Sequence, residues 1–279
     1  MKADLHFHSI VSDGCLTPSQ LVELAGNGGL EVIALTDHDS VDGIDEAITS
    51  ARNFPSLKLI PGVEISTSVS HGEIHILGYF IDHYHPELES ALETLRDSRR
   101  VRAKKMIAKL EGLGVSVQWE RVQDLAGGSS IGRPHIAQAM LEKGYISSIR
   151  QAFSSYLGWN GPAYVGRDKI SPFEAVELIT RSKGLAVLAH PADIQGLEDL
   201  LTQLQKGGLA GIEAYYNNYS PEMVERLVAL TKKYGLVATG GSDFHGLDIN
   251  NETPIGGIDI PAESIEQLFE LANASVKSP

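Results

Sequence analysis

The chain has a single cysteine, Cys15, among its 279 residues. No intrachain disulfide can form, which fits a reducing compartment. Basic residues are also scarce: 23 Lys and Arg stand against 36 Asp and Glu, a net charge of −13. That balance argues against a surface that tracks long nucleic acid by counterion release. No apolar stretch approaches the roughly 20 residues needed to cross a bilayer. The opening Met1-Lys2-Ala3-Asp4 lacks the apolar core of a signal peptide. Repeats of fixed period and low-complexity tracts are absent as well. The expectation is a soluble, cytoplasmic, globular protein that does not engage membranes. The 28 glycines and an apolar content of 42% suit a loop-rich enzyme.

What is present begins with Asp4-Leu5-His6-Phe7-His8 and then Ser12-Asp13-Gly14. Side chains at i and i+2 of an extended segment share a face, about 6–7 Å apart. Two imidazoles at that spacing can converge on one divalent ion, or can be ordinary strand residues. The rest of the chain bears on the choice. Ala3–His6 reads as a strand, and Thr17-Pro18-Ser19-Gln20 as a capping box opening a helix. Val32–Leu35 is a buried strand, followed by a helix capped by Ser40 or Asp42 and running to about Arg52. Leu57–Ile60 is a further strand, and Ile65–Ser68 with Glu73–Phe80 a β-hairpin. Residues 87–113, Pro134–Lys143 and Ile149–Tyr156 read as helices, with Val115–Gln118 a weak strand candidate. Alternation resumes at the capping box Ser171-Pro172-Phe173-Glu174, with strands at Leu185–Ala189, Gly211–Ala214 and Leu236–Thr239. Ser220-Pro221-Glu222 opens a helix between the last two, and Ala262–Ala274 forms a closing one. This α/β pattern implies a parallel barrel or a doubly wound sheet. The division expected is 1–98 and 171–279 for the main fold, with 99–170 as a helical insertion.

Polar clusters follow the predicted strands: His6 and His8, His38, Glu64, His190, then Asp243 and His245, with His75 in the hairpin. The C-terminal ends of strands are where α/β barrels build active sites. His6, His8, Asp13, His38, Glu64, His75, His190, Asp243 and His245 make nine candidate ligands. One ion takes three or four protein ligands, so nine suit two or three ions. Imidazole and carboxylate without thiolate fit manganese, zinc or iron(II).

The set His6-x-His8, Asp13, Thr36-Asp37-His38-Asp39, Gly62-Val63-Glu64, His75, Ala189-His190-Pro191 and Ser242-Asp243-Phe244-His245 resembles the polymerase and histidinol phosphatase (PHP) family. The resemblance covers residues 1–85 and about 171–250. It implies a distorted seven-stranded (β/α) barrel of PHP type with a helical insertion and three divalent ions, manganese first, zinc or iron(II) as alternatives. His6, His8, Glu64 and Asp243 would hold one ion. Glu64 would bridge to a second, completed by His75 and His190, and Asp13, His38 and His245 would hold the third. Glu64, Asp243 and His245 are the catalytic candidates. Arg99-x-x-Arg102 and Gly132-Arg133-Pro134-His135 resemble the insert of stand-alone PHP phosphoesterases that act on nucleoside 3′,5′-bisphosphates, some of which also trim short 5′-phosphorylated oligoribonucleotides. The expected substrate is thus a small phosphorylated nucleotide, attacked by a metal-bridged hydroxide.

Bland readings stand beside these. Arg99 and Arg102 can be solvated or paired with Glu93 or Asp97, and Arg133 carries the stronger case for phosphate binding. His135 is a phosphate ligand, a general acid or merely an N-terminal helix residue. His71, His83 and His85 read as turn and surface residues, Asp37 as a carboxylate orienting imidazoles, and Cys15 as a small packing residue. The alternative functions are a histidinol-phosphate-type phosphatase, a barrel amidohydrolase acting on C–N bonds and a non-catalytic metal-binding module.

Overall fold

The structure is a computed structural model and describes residues 1–69, 72–166, 170–247 and 252–276. Seven strands follow one another around a single sheet in sequence order: β1 (Ala3–Asp4), β2 (Val32–Leu35), β3 (Lys58–Val69), β4 (Gly72–Tyr79), β5 (Leu185–Leu188), β6 (Leu209–Tyr216) and β7 (Val237–Gly241). Neighbours are parallel except around β4, which runs antiparallel to both β3 and β5. The ends of the sheet meet through Leu5 N–H to the Gly240 carbonyl (3.2 Å), Asp243 N–H to the His6 carbonyl (2.8 Å) and His8 N–H to the Phe244 carbonyl (2.9 Å). The sheet closes as a seven-stranded barrel, not a doubly wound layer. Sequential β/α order allowed both; only this closure distinguishes them.

The described residues form ten α-helices: α1 (Pro18–Asn27), α2 (Ile44–Ala51), α3 (Pro86–Gly112), α4 (Trp119–Ala126), α5 (Arg133–Glu142), α6 (Ile149–Ala152), α7 (Pro172–Arg181), α8 (Leu197–Lys206), α9 (Pro221–Tyr234) and α10 (Ala262–Val276). The expected caps form where a hydroxyl precedes proline. Thr17 accepts from Gln20 N–H, and Ser171 from Glu174 N–H, each with the reciprocal bond. Ser220 caps α9 through Met223 N–H.

Other local expectations fail for reasons of tertiary packing. Leu57–Ile60 and Ile65–Ser68 are one strand, β3, which runs straight through Pro61. Proline is tolerated there because Pro61 needs only to accept, and its carbonyl takes the Ile81 N–H at 3.3 Å. Neither Ser40 nor Asp42 caps α2; Gly43 occupies the position without a side-chain bond. Val115–Gln118 is not a strand; Val115 and Val117 pack instead among the helices of residues 103–163. The helix at Ile149 changes at Phe153 to a π-helical turn through Leu157. Helices α4 and α8 had no clear signal and are present.

Apolar packing divides the molecule into layers. Val63, Ile65, Ile74 and Ile76 of the sheet pack against Leu88, Leu92 and Leu95 of α3 and against α7, α8 and α9. Leu77, Tyr79, Val187 and Val237 meet Ile265 and Leu268 of α10. From Ala103 onward α3 turns to a separate cluster with Val122, Ile136, Met140, Ala152 and Leu157. One long helix thus belongs to two cores, and its middle, carrying Arg99 and Arg102, lies between them.

Candidate metal centre and active-site cavity

Six strands, or the loops that follow them, deliver polar side chains to one place. Glu64, in the middle of β3, is the hub. Its Oε2 lies 3.3 Å from His6 Nε2, 3.3 Å from His8 Nε2 and 2.9 Å from His38 Nδ1. Its Oε1 lies 2.7 Å from His75 Nδ1 and 3.2 Å from His190 Nε2. Asp243 Oδ1 stands 3.3 Å from His6 Nε2 and 3.0 Å from His8 Nε2. Asp13 lies 3.4 Å from His245 Nε2 and 4.0 Å from His38 Nε2.

The donors form three groups whose ligand atoms lie within 4.8 Å of one another: His6, His8, Glu64 and Asp243; His38, Glu64 and His75; and His8, Asp13, His38 and His245. All nine expected ligands are brought together. Their partition differs in detail from the one carried over by resemblance. His38 joins Glu64 and His75 in the second group, while His190 touches Glu64 without joining it.

The buried donors are under-satisfied in a telling way. His6 Nε2, His8 Nδ1, His38 Nδ1, Asp13 Oδ1 and Glu64 Oε2 have no hydrogen bond and no access to water. Each such atom costs about 1–3 kcal/mol unless something else engages it. Five of them in a single cluster of imidazole and carboxylate fit divalent ions as the missing partners. Protonation states are divided: burial of His6 is outweighed by the Glu213, Asp243 and Glu64 carboxylates, which lift its imidazole well above the usual range, whereas two other donors are held neutral. Burial pushes the His8 imidazole down to about 3, and burial likewise pushes His75 down to about 4 despite the neighbouring Glu64 carboxylate. Both therefore present free lone pairs at neutral pH. Burial opposes ionisation of Glu64 too, but His38, His75 and His6 outweigh it and hold its carboxyl well below the usual range. For His245, burial is outweighed by the Asp13 carboxylate, and the imidazole rises to about 10.

A surrounding set of residues holds these donors in place, and sequence reasoning missed most of it. Glu213 on β6 accepts from His6 Nδ1 (2.9 Å) and from the His190 N–H (2.8 Å). This bond keeps the His6 proton on Nδ1 and leaves Nε2 facing the cluster. Tyr216 donates its hydroxyl to Asp243 Oδ2 at 2.7 Å. Glu213 had a readable signal: it is a charge inside the apolar strand Gly211–Ala214. Glu252 accepts from the N–H groups of Gly246 (2.7 Å) and Leu247 (3.0 Å), fixing the loop that carries His245. Contrary to the expectation, Asp37 orients no imidazole among the described residues. It accepts from Ser9 N–H (2.7 Å) and the Ser12 hydroxyl (2.6 Å), which fixes the turn bearing Asp13. Asp39, His190 and Asp243, three of the seven described non-glycine residues with positive φ (51°, 27° and 52°), lie here where strands end at the site.

Above the donors opens a cavity of about 340 Å³, walled by Arg99, Arg102 and Arg133 and by the apolar Met106, Ile136 and Phe153. The arginines are not paired with Glu93 or Asp97; Asp97 pairs with Arg100. Arg99 instead donates to Asp39 (2.5 Å) and Ser66 (2.6 Å). Arg102 and Arg133 both reach Glu73, at 2.8 and 2.9 Å. His135 is buried off the cavity wall, where its Nδ1 accepts the Gly132 N–H at 3.0 Å and caps α5. Cys15 is exposed and therefore not a packing residue. His83 pairs with Asp45 at 3.2 Å, His85 stands at the N-terminus of α3, and His71 lies outside the described residues.

Residues 4–237 match the profile of the PHP domain. The chain belongs to the PHP family. A curated relative from Chromobacterium violaceum, named 3′,5′-nucleoside bisphosphate phosphatase, is 34% identical over 87% of this chain and 86% of its own. A 5′-3′ exoribonuclease of Escherichia coli is 36% identical over 87% of this chain and 84% of its own. A solved structure from Chromobacterium violaceum, called an amidohydrolase and holding sulfate but no metal, superimposes with a TM-score of 0.90. It is 31% identical and covers 99% of this chain and 97% of the other. As a PHP protein with its His and carboxylate donors clustered, the chain is a metal-dependent phosphoesterase. Glu64, and not a lysine, stands at the hub of the donor groups. No helix among the described residues is long and apolar enough to cross a membrane.

Proposed function

We propose that this chain removes the 3′-phosphate of nucleoside 3′,5′-bisphosphates, using three divalent ions, manganese foremost. The observation that carries the reading is the shared cavity: donor clusters form its floor, and three arginines with an apolar patch form its wall. A substrate with two phosphates and a base matches those three surfaces.

His6, His8, Glu64 and Asp243 would hold one ion; Glu64 with His75 and His190, and Asp13 with His38 and His245, would hold two more. Bound there, the ions would supply Lewis acidity towards phosphoryl oxygens and a water acidic enough to ionise near neutral pH. The chain does the rest. Glu213 and Tyr216 fix the orientation of His6 and Asp243, so the donors need no rearrangement. Arg99, Arg102 and Arg133 would grip the non-reacting phosphate in planar, charge-assisted contacts. Phe153, the partly exposed apolar side chain of that wall, offers the base a surface, with Met106 and Ile136 buried in the packing around it. Residues 99–170 act in this reading as the recognition insert.

The test is phosphate release from adenosine 3′,5′-bisphosphate with added manganese. Equal or faster turnover of histidinol phosphate rejects the nucleotide assignment, and inactivity on every phosphoester despite full metal loading rejects catalysis altogether. A second reading, trimming of short 5′-phosphorylated oligoribonucleotides, is favoured by a cavity of about 780 Å³ beyond the first. The two meet at Glu73, His75 and His190, and the half-exposed Trp159 on its wall offers a base a stacking surface. Release of nucleotides one by one from a 5′-phosphorylated trimer distinguishes the two substrates.

A further inference from the structure

Glu73 lies on β4 two residues before His75, so both side chains share one face of the strand. It is half-buried, and it sits between Arg102 Nη2 (2.8 Å) and Arg133 Nη2 (2.9 Å). One carboxylate is thus shared by two guanidinium groups that come from different helices and both face the cavity. Arg133 donates a hydrogen bond to Oε2, while Arg102 Nη2 meets Oε1 as an ion pair without hydrogen-bond geometry; two guanidinium groups converging on neighbouring oxygens of one anion is also how arginines meet a phosphate. The two cations would repel each other without an anion between them. Glu73 also borders the second cavity, which gives its side chain space to leave the arginines.

We propose that Glu73 is a specificity-determining residue: its carboxylate holds the place of the substrate's second phosphate and must be displaced for that phosphate to bind. The inference rests on reading the arginine wall as a phosphate subsite. With Glu73 in place the Arg102–Arg133 pair carries one net positive charge; with Glu73 swung away it carries two and matches a phosphate dianion. A carboxylate or chloride, as weak an anion as Glu73 or weaker, gains nothing by competing. The resting site is therefore closed to weak anions and open to phosphate.

The alternative is that Glu73 only braces the arginines, and the two roles predict opposite signs. Sulfate is titrated calorimetrically into the metal-loaded full-length chain, wild type and Glu73→Gln, and KM is measured for adenosine 3′,5′-bisphosphate and for an aryl phosphate with a single phosphate. Displacement predicts that E73Q binds sulfate on the order of tenfold tighter and shows a lower KM for the bisphosphate, with the aryl phosphate KM unchanged. Unchanged or weaker sulfate binding, or a raised bisphosphate KM, overturns the proposal. Glu73→Asp provides a second reading should E73Q not fold. It keeps the charge but is too short to span both arginines, so sulfate affinity between wild type and E73Q is expected, and affinity at or below wild type overturns the inference. Sulfate binding does not require hydrolysis. If neither protein turns over the bisphosphate, the proposed substrate falls while the sulfate comparison still decides the role of Glu73.

Discussion

At the scale of single residues, the centre depends on Glu64 more than on any other side chain, because its two oxygens face different donor groups. Glu64→Ala is expected to lose two ions together, seen by elemental analysis. Activity should fall by more than the roughly 100-fold that loss of an outer partner costs. Full metal stoichiometry in this variant would reject the bridge. Arg133→Ala removes one charge-assisted contact, so KM for the bisphosphate should rise about tenfold while an aryl phosphate is little affected. Equal effects on both substrates would strip Arg133 of its recognition role. Protons supply a further test. His245 is lifted to about 10 in the metal-free chain, so at pH 8 it carries a proton that an arriving ion must expel. His8 and His75, lowered to about 3 and about 4, have none to give. Manganese affinity for the Asp13–His38–His245 group should thus keep rising with pH towards 10 instead of levelling above the ordinary imidazole range near 6.5. Calorimetry at pH 8 in buffers of different ionisation enthalpy measures the released proton; heats independent of the buffer would contradict it.

At the scale of elements, what was legible is what local chemistry decides. Thr17-Pro18 and Ser171-Pro172 capped helices because a hydroxyl acceptor, a fixed φ and a reciprocal side chain all lie within four residues. The continuity of β3 through Pro61 was not legible, since it depends on β2 and on Ile81 lying alongside. The antiparallel β4 brings His75 to the donor cluster and Glu73 to the arginines. Close approach of elements is equally decisive where β7 meets β1. A Cβ on Gly241 would stand 2.4 Å from the His6 Cβ and 2.5 Å from its backbone nitrogen. Gly241→Ala should therefore displace His6, costing about 1–3 kcal/mol in urea denaturation and the ion at the His6–His8–Glu64–Asp243 group. Wild-type stability with full metal content would show that the strand end accommodates a methyl group.

At the scale of the whole molecule, an acidic exterior surrounds a cavity whose wall carries three arginines. Long polyanions should be repelled before they reach it. Across 5′-phosphorylated oligoribonucleotides, kcat/KM at low ionic strength is expected to fall with length, and 0.15 M salt, with a screening length of about 8 Å, should narrow the difference. A length dependence indifferent to salt would remove the electrostatic account. The nine candidate ligands were readable because their type and their position after apolar strands are properties of the chain itself. Which carboxylate serves which histidine was not, and neither were the roles of Glu213, Tyr216 and Glu73, although the charge of Glu213 inside an apolar strand marks it as unusual. These act on partners brought alongside only by the closed barrel, as with Glu213 and His6, 207 residues apart. The sequence by itself determined the donor inventory, the α/β alternation and the capped helices, each encoded within a few residues. Barrel closure, the division of donors into three groups and the pairing of two arginines with Glu73 were decided by tertiary structure, because contacts between distant segments exist only once the sheet has closed on itself.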